Sequence, residues 1–289
     1  MTTIVAFGGR YSLKHRCNRF RNYKALFTNR THVHCCKYRR LSYNPVEQIA
    51  TVVTIQRALH EVAAIEFGSL ITRRVREYLG NHKPDEEWRI FGSGSTTMTG
   101  KYAKGSKEPD GSFMYADKDH GSVLQLVTEV GFSEQHAALL RSKDTWIQGH
   151  DLKAVVLICV NETPRFESPK AAYEVKDVAV ELATMRGSYI AMQRNMEGEI
   201  SGPIEYRGHR WFGKFSDAFI EWLIKDGRLD DPLPMTIGLK ISDFFSEDGW
   251  AAANIPDSDV PFDSGGYVSA LLESRLATAE ERFHDFVSR

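Results

Sequence analysis

Two strand-like runs joined by a short turn constrain this chain more than any other stretch. The first, Gly111-Ser112-Phe113-Met114-Tyr115-Ala116, is rich in aromatics, and the second, Val123 to Val130, is rich in β-branched residues. Asp117 to Gly121 between them has turn composition. The pattern predicts a β-hairpin. With the turn centred between Asp119 and His120, antiparallel partners carry numbers that add to 239. Asp110 and Glu129 satisfy that register and face each other at the open end. Directly opposed Cβ atoms lie about 4.5–5.5 Å apart in such a ladder. Two carboxylates that close repel unless a proton or a cation lies between them. An oxygen-liganded divalent ion such as Mg²⁺ answers the repulsion, which makes Asp110 and Glu129 candidate metal ligands. The plainer alternative is an ordinary Pro-Asp-Gly turn and a solvent-facing strand glutamate.

The sequence after the hairpin extends the same architecture. Ser133 is a candidate N-cap for a helix to about Gln148, with Ala137, Leu140, Asp144 and Ile147 along one edge. Leu152 to Val160 is the most continuous apolar run and reads as a central buried strand. Strand, helix and strand in that order imply a right-handed crossover to a parallel neighbour. The expected class is therefore α/β, a mixed central sheet flanked by helices. Pro203 to Phe212 suggests a second hairpin, and Phe219–Ile224 and Met235–Ile241 suggest further strands. Val175 to Arg186 fits either a helix or a strand-like excursion, Glu247 to Asp263 reads as loop, and an amphipathic helix over Ser269–Val287 closes the chain.

Upstream, Asn44-Pro45 is a helix-start pair, and apolar residues from Val46 to Leu79 recur at helical spacing with Gly68 as an interruption. Glu61 and Glu66 lie on that stretch. Trp88 to Phe91 looks like a short strand. Gly92 to Thr97 lacks the ending of a phosphate-cradling loop and reads as a connector; Lys101, Lys104 and Lys107 follow it.

Charge is unevenly spread. Met1 to Val46 contains no acid and carries a formal +10, so the remainder, with 27 basic and 38 acidic residues, carries −11. Residues 1–44 read as a basic, poorly ordered tail ahead of one domain over 45–289. Its composition suits a mitochondrial transit segment, a nuclear or nucleic-acid-binding arm, or an extension without a role. Cys17, Cys35, Cys36 and Cys159 form no disulfide framework, which points to a reducing compartment. Adjacent Cys35 and Cys36 fit no tetrahedral zinc spacing. No apolar run is long enough to span a membrane, and no apolar core of a secretory signal is found.

Pro109-Asp110 followed by Leu126-Val127-Thr128-Glu129-Val130-Gly131-Phe132-Ser133, then Leu139–Trp146 and Val155–Val160, resembles the PD-(D/E)XK nuclease superfamily with its restriction-endonuclease-like fold. The resemblance is nearest to the branch abundant in cyanobacteria and to its fungal relatives, and it covers about Pro45 to Val160. It implies Mg²⁺-dependent (or Mn²⁺-dependent) hydrolysis of DNA phosphodiesters, with Asp110 and Glu129 holding the metal. It implies a nucleic-acid partner, in practice DNA, and no membrane; a homodimer is left open, as is a nuclear or cytoplasmic location.

One departure bears on chemistry. The family places a lysine two residues after the glutamate, on the same strand face, and this chain has Gly131 there. The basic group would then come from another element: Arg141 or Lys143 on the following helix, Lys107 before the hairpin, or Lys153 on the next strand. Arginine cannot act as a base at neutral pH but can stabilise a pentacovalent phosphate. Gln135 is a further candidate for orienting water. The missing lysine equally suits a catalytically inactive relative that binds nucleic acid or protein, and a secreted or delivered effector is a third reading.

Overall fold

The computed structural model describes residues 4–7, 10–14, 40–46, 49–53, 58–80, 87–91, 96–117, 121–132, 136–170, 175–195, 202–224, 227–229 and 236–288. In chain order the strands begin with β1 (Ile4–Phe7), β2 (Arg10–Lys14), β3 (Arg40–Asn44), β4 (Ile49–Val53), β5 (Glu87–Phe91), β6 (Thr96–Thr97) and β7 (Ser106–Lys107). They continue with β8 (Gly111–Asp117), β9 (Gly121–Phe132), β10 (Ala154–Thr163), β11 (Ile204–Tyr206), β12 (His209–Phe212) and β13 (Lys214–Ile224), and end with β14 (Gly227–Leu229), β15 (Thr236–Lys240) and β16 (Asp259–Pro261). The described α-helices are α1 (Ala58–Leu79), α2 (His136–Gly149), α3 (Val178–Asn195), α4 (Glu247–Ala253) and α5 (Ser264–Val287). The protein is thus mixed α/β. Among the described residues no helix is long and apolar enough to cross a membrane.

The apolar run β10 lies inside a six-stranded sheet of order β14-β13-β10-β9-β8-β5. It pairs parallel to β9 and antiparallel to β13. Two parallel neighbours need a crossover, and α2 supplies it. Side chains alternate along β10. Val156, Ile158 and Val160 join α1 and α5 on one face, while Val155, Leu157 and Cys159 join Leu139 and Trp146 of α2 on the other. A strand buried on both faces must be apolar throughout, which is why this run shows no period of two.

The hairpin of β8 and β9 begins in the expected register. Gly111 pairs with Thr128 and Phe113 with Leu126, each adding to 239. The register then slips, and Met114 pairs with Leu124 and Tyr115 with Val123, adding to 238. Gln125 is the extra residue of a β-bulge. It turns Leu124 to the α2 face although Leu126 faces α1, a reversal that simple alternation does not give. The tip, residues 118–120, lies outside the described residues.

A second sheet of order β1-β2-β4-β3-β7-β6 precedes the hairpin. Two sequence expectations change here. Ile49-Ala50-Thr51-Val52-Val53 is a strand rather than the first part of a helix, because a β-branched run pairs with β2 and β3 on both sides. The helix starts later, at Ala58, where α5 caps it: Glu281 accepts from Ala58 N and Thr278 from Leu59 N, both at 3.0 Å. Within residues 1–44, read as a tail, three strands (β1–β3) are found, and the rest of that stretch lies outside the described residues. Further on, the stretch read as loop contains α4 and β16, and Val178 to Asn195 is helical. The second hairpin (β11–β12) and the closing helix form as expected, the helix beginning five residues early at Ser264.

Candidate functional site

The open end of the β8–β9 hairpin gathers the polar residues. Glu129 lies on the α2 face of β9, the face shared by Val127 and Gly131. It is 5% exposed. A buried carboxylate needs donors, and among the described residues three reach it. Lys107 Nζ donates to Oε1 at 2.7 Å, Trp146 Nε1 donates to the same oxygen at 2.5 Å, and Ser142 Oγ donates to Oε2 at 2.8 Å. The Lys107 ammonium also lies over the Trp146 ring, 5.2 Å from its centroid.

Asp110 occupies the bend before β8, and its N–H donates to Thr128 O at 3.0 Å. β9 runs on beyond the point where β8 begins. The Asp110 carboxylate takes up the next backbone donor on that edge: Val130 N donates to Oδ2 at 2.6 Å. His60 Nε2, near the start of α1, approaches the same oxygen at 3.5 Å. Asp110 therefore ends the ladder with its side chain, a role that an aspartate one residue before a strand can fill. The two carboxylates share no hydrogen-bond donor among these contacts: Glu129 is held from α2 and β7, Asp110 from β9 and the α1 side.

Lys107 arrives from the second sheet. Its neighbour Ser106 pairs with Tyr43 of β3, so strands far upstream set its position. Gly105 fits tightly behind it. A Cβ there would lie 2.7 Å from Tyr43 O and 2.9 Å from Pro45 Cδ.

The other candidates are elsewhere. Arg141 is exposed, and Lys143 Nζ lies 3.8 Å from Asp144 Oδ1. Successive helix residues are turned about 100° apart, and Ser142, between these two, faces Glu129. Lys153 pairs with Glu247 at 2.7 Å on the surface. Gln135 lies outside the described residues. At Gly131, where the resemblance expects a lysine, a Cβ would lie 2.5 Å from Leu139 Cδ1, so the buried leucine would have to shift. Sequence reasoning missed His60, Ser142 and Trp146. The available signal was the spacing Leu139, Ser142, Trp146, three residues on one helix face with two donors among them.

Among the described residues no group of three or more His, Cys, Asp or Glu side chains could hold a metal ion. Mg²⁺ needs fewer, since it is commonly bound by one or two carboxylates with water and substrate oxygens completing the shell. Asp110 and Glu129 are hard oxygen donors of that kind, and among the described residues Glu129 Oε2 accepts from Ser142 alone. By donor chemistry the pair fits.

No protein-family model matches the chain, and neither a curated protein nor a solved structure matches it.

Proposed function

We propose that this protein is a Mg²⁺-dependent (or Mn²⁺-dependent) nuclease with a restriction-endonuclease-like core, hydrolysing DNA phosphodiesters. One observation carries the reading: the ammonium of Lys107 lies 2.7 Å from Glu129 at the hairpin end that also bears Asp110. In this reading Lys107, drawn from ahead of the hairpin, supplies the basic group that the resemblance expects at position 131. Asp110 and Glu129 would hold the metal. When bound, the ion polarises a phosphate oxygen and lowers the pKa of a coordinated water. Ser142 and Trp146 fix the direction of the Glu129 carboxylate, and Val130 N with His60 fixes Asp110. Lys107 directs ammonium donors toward the charge that develops on a phosphate.

The test is plasmid cleavage in Mg²⁺ and in Mn²⁺. Wild type should nick DNA, Asp110→Ala and Glu129→Ala should abolish cutting, and Lys107→Ala should slow it far more than Arg141→Ala or Lys143→Ala. Equal losses at Lys107 and Arg141 would refute the role given to Lys107.

A second reading is favoured by the donors around Glu129, which already neutralise and saturate much of its carboxylate without a metal. In that reading the cluster is structural, and the domain binds nucleic acid or protein without cutting. DNA retention with no cleavage in either metal selects it.

A further inference from the structure

We propose that Trp146 is a positioning residue that holds Glu129 and Lys107 together. This rests on the nuclease reading for its catalytic consequence. Trp146 makes two polar contacts, and the acceptor its buried N–H requires is the carboxylate that also takes the lysine. Its indole N–H donates to Glu129 Oε1 at 2.5 Å, and its ring lies 5.2 Å from the Lys107 ammonium, which donates to the same oxygen at 2.7 Å. The side chain is 0% exposed and packed with Leu139, Met98 and Tyr102, so its own placement is rigid. A ring locked by packing thus presents an edge donor to the anion and a π-face to the cation. Ring N–H and ammonium then meet at the same carboxylate oxygen. Ser142 restrains the other oxygen only. Losing a partner that orients a metal-binding side chain typically costs about 10–100-fold in metal affinity or activity.

The experiment compares full-length wild type, Trp146→Phe, Lys107→Met and the double variant. Phenylalanine keeps a ring face and most of the volume while removing the donor. Mn²⁺ affinity, read by electron paramagnetic resonance, should fall about 10–100-fold in Trp146→Phe. Turnover on plasmid should fall by about a hundred-fold with KM for DNA little changed. The double variant should lose little beyond Lys107→Met, because the two residues act as one unit. Unaltered Mn²⁺ affinity, or losses that multiply independently, would overturn the proposal. A readout without metal covers the case in which Trp146→Phe does not fold. One of the indole N–H resonances of the five tryptophans should move in Lys107→Met; if none moves, Trp146 does not hold the lysine. A wild type that neither binds Mn²⁺ nor cuts DNA sinks the nuclease reading instead, and the indole resonance still decides whether the clamp exists.

Discussion

Lys107 and Glu129, 22 residues apart in the chain, meet at 2.7 Å with side chains only 14% and 7% exposed. The lysine belongs to one sheet and the glutamate to the other, so their pairing reports how the two sheets are joined. Removing one partner leaves a charge in a desolvated place. Lys107→Met should cost about 2–3 kcal/mol, less than a fully buried break because Ser142 and Trp146 still donate to Glu129. Glu129→Gln in the Lys107→Met background should recover part of that loss. Chemical denaturation of the four chains measures the coupling, and strict additivity would show that the pair contributes nothing.

Position 131 leaves little room for a side chain. With a Cβ only 2.5 Å from Leu139 Cδ1, Gly131→Ala should destabilise by about 1–3 kcal/mol through overpacking. Adding Leu139→Ala should cost less than it does alone, because the smaller side chain leaves room for the new methyl. Gly131→Lys should not raise cleavage. Thermal melts settle the first two points, and a melting temperature unchanged in Gly131→Ala would contradict the close approach.

The Glu162–Arg282 pair ties α5 to β10 and is buried on both sides, Glu162 0% and Arg282 6% exposed. The guanidinium donates to both carboxylate oxygens, at 2.9 and 2.6 Å, and to Trp211 O, while Phe166 covers it at 4.3 Å. Arg282→Met should cost about 3–5 kcal/mol. Arg282→Lys should recover little, because an ammonium cannot reproduce the planar fork. A loss below about 1 kcal/mol in urea unfolding would mean that the pair is dispensable.

Asp243 sets a pH dependence. Burial pushes its carboxyl pKa up, with the nearby Asp257 charge adding; the hydrogen bond from Lys240 N and the Lys153 and Lys240 charges oppose this. The folded state therefore holds the proton more tightly than the unfolded chain. This contribution to stability is present below the ordinary carboxylate range and is lost as pH rises through the raised value. Asp243→Asn keeps an acceptor for Lys240 N, which donates to Asp243 Oδ2 at 2.8 Å. Its stability relative to wild type should improve steadily from about pH 3 to about pH 7. A flat difference across that range would exclude the effect.

Much of the site's scaffold was legible in the sequence. Gly111–Phe113 and Leu126–Thr128 pair in the register expected from the turn, and β10 lies parallel to β9 as the strand, helix, strand order implies. The bulge at Gln125 was not legible, since nothing in the residue order marks where one extra residue is accommodated. Ile49–Val53 misled because β-branched residues at near-helical spacing satisfy both patterns, and pairing on two edges decided for the strand. Arg141 and Lys143 are the basic residues that α2 offers near the hairpin, but the helix turns Ser142 and Trp146 toward Glu129.

The sequence by itself determined the local elements around the two acids: the hairpin, the central strand and the helix between them. Those follow from propensity and periodicity, which act over a few residues. Only the tertiary structure decided which groups meet there. It brings Lys107 from the neighbouring sheet to Glu129, gives Val130 N to Asp110, and closes position 131 with Leu139. Contacts between distant segments depend on how whole faces pack, and no short-range pattern encodes that.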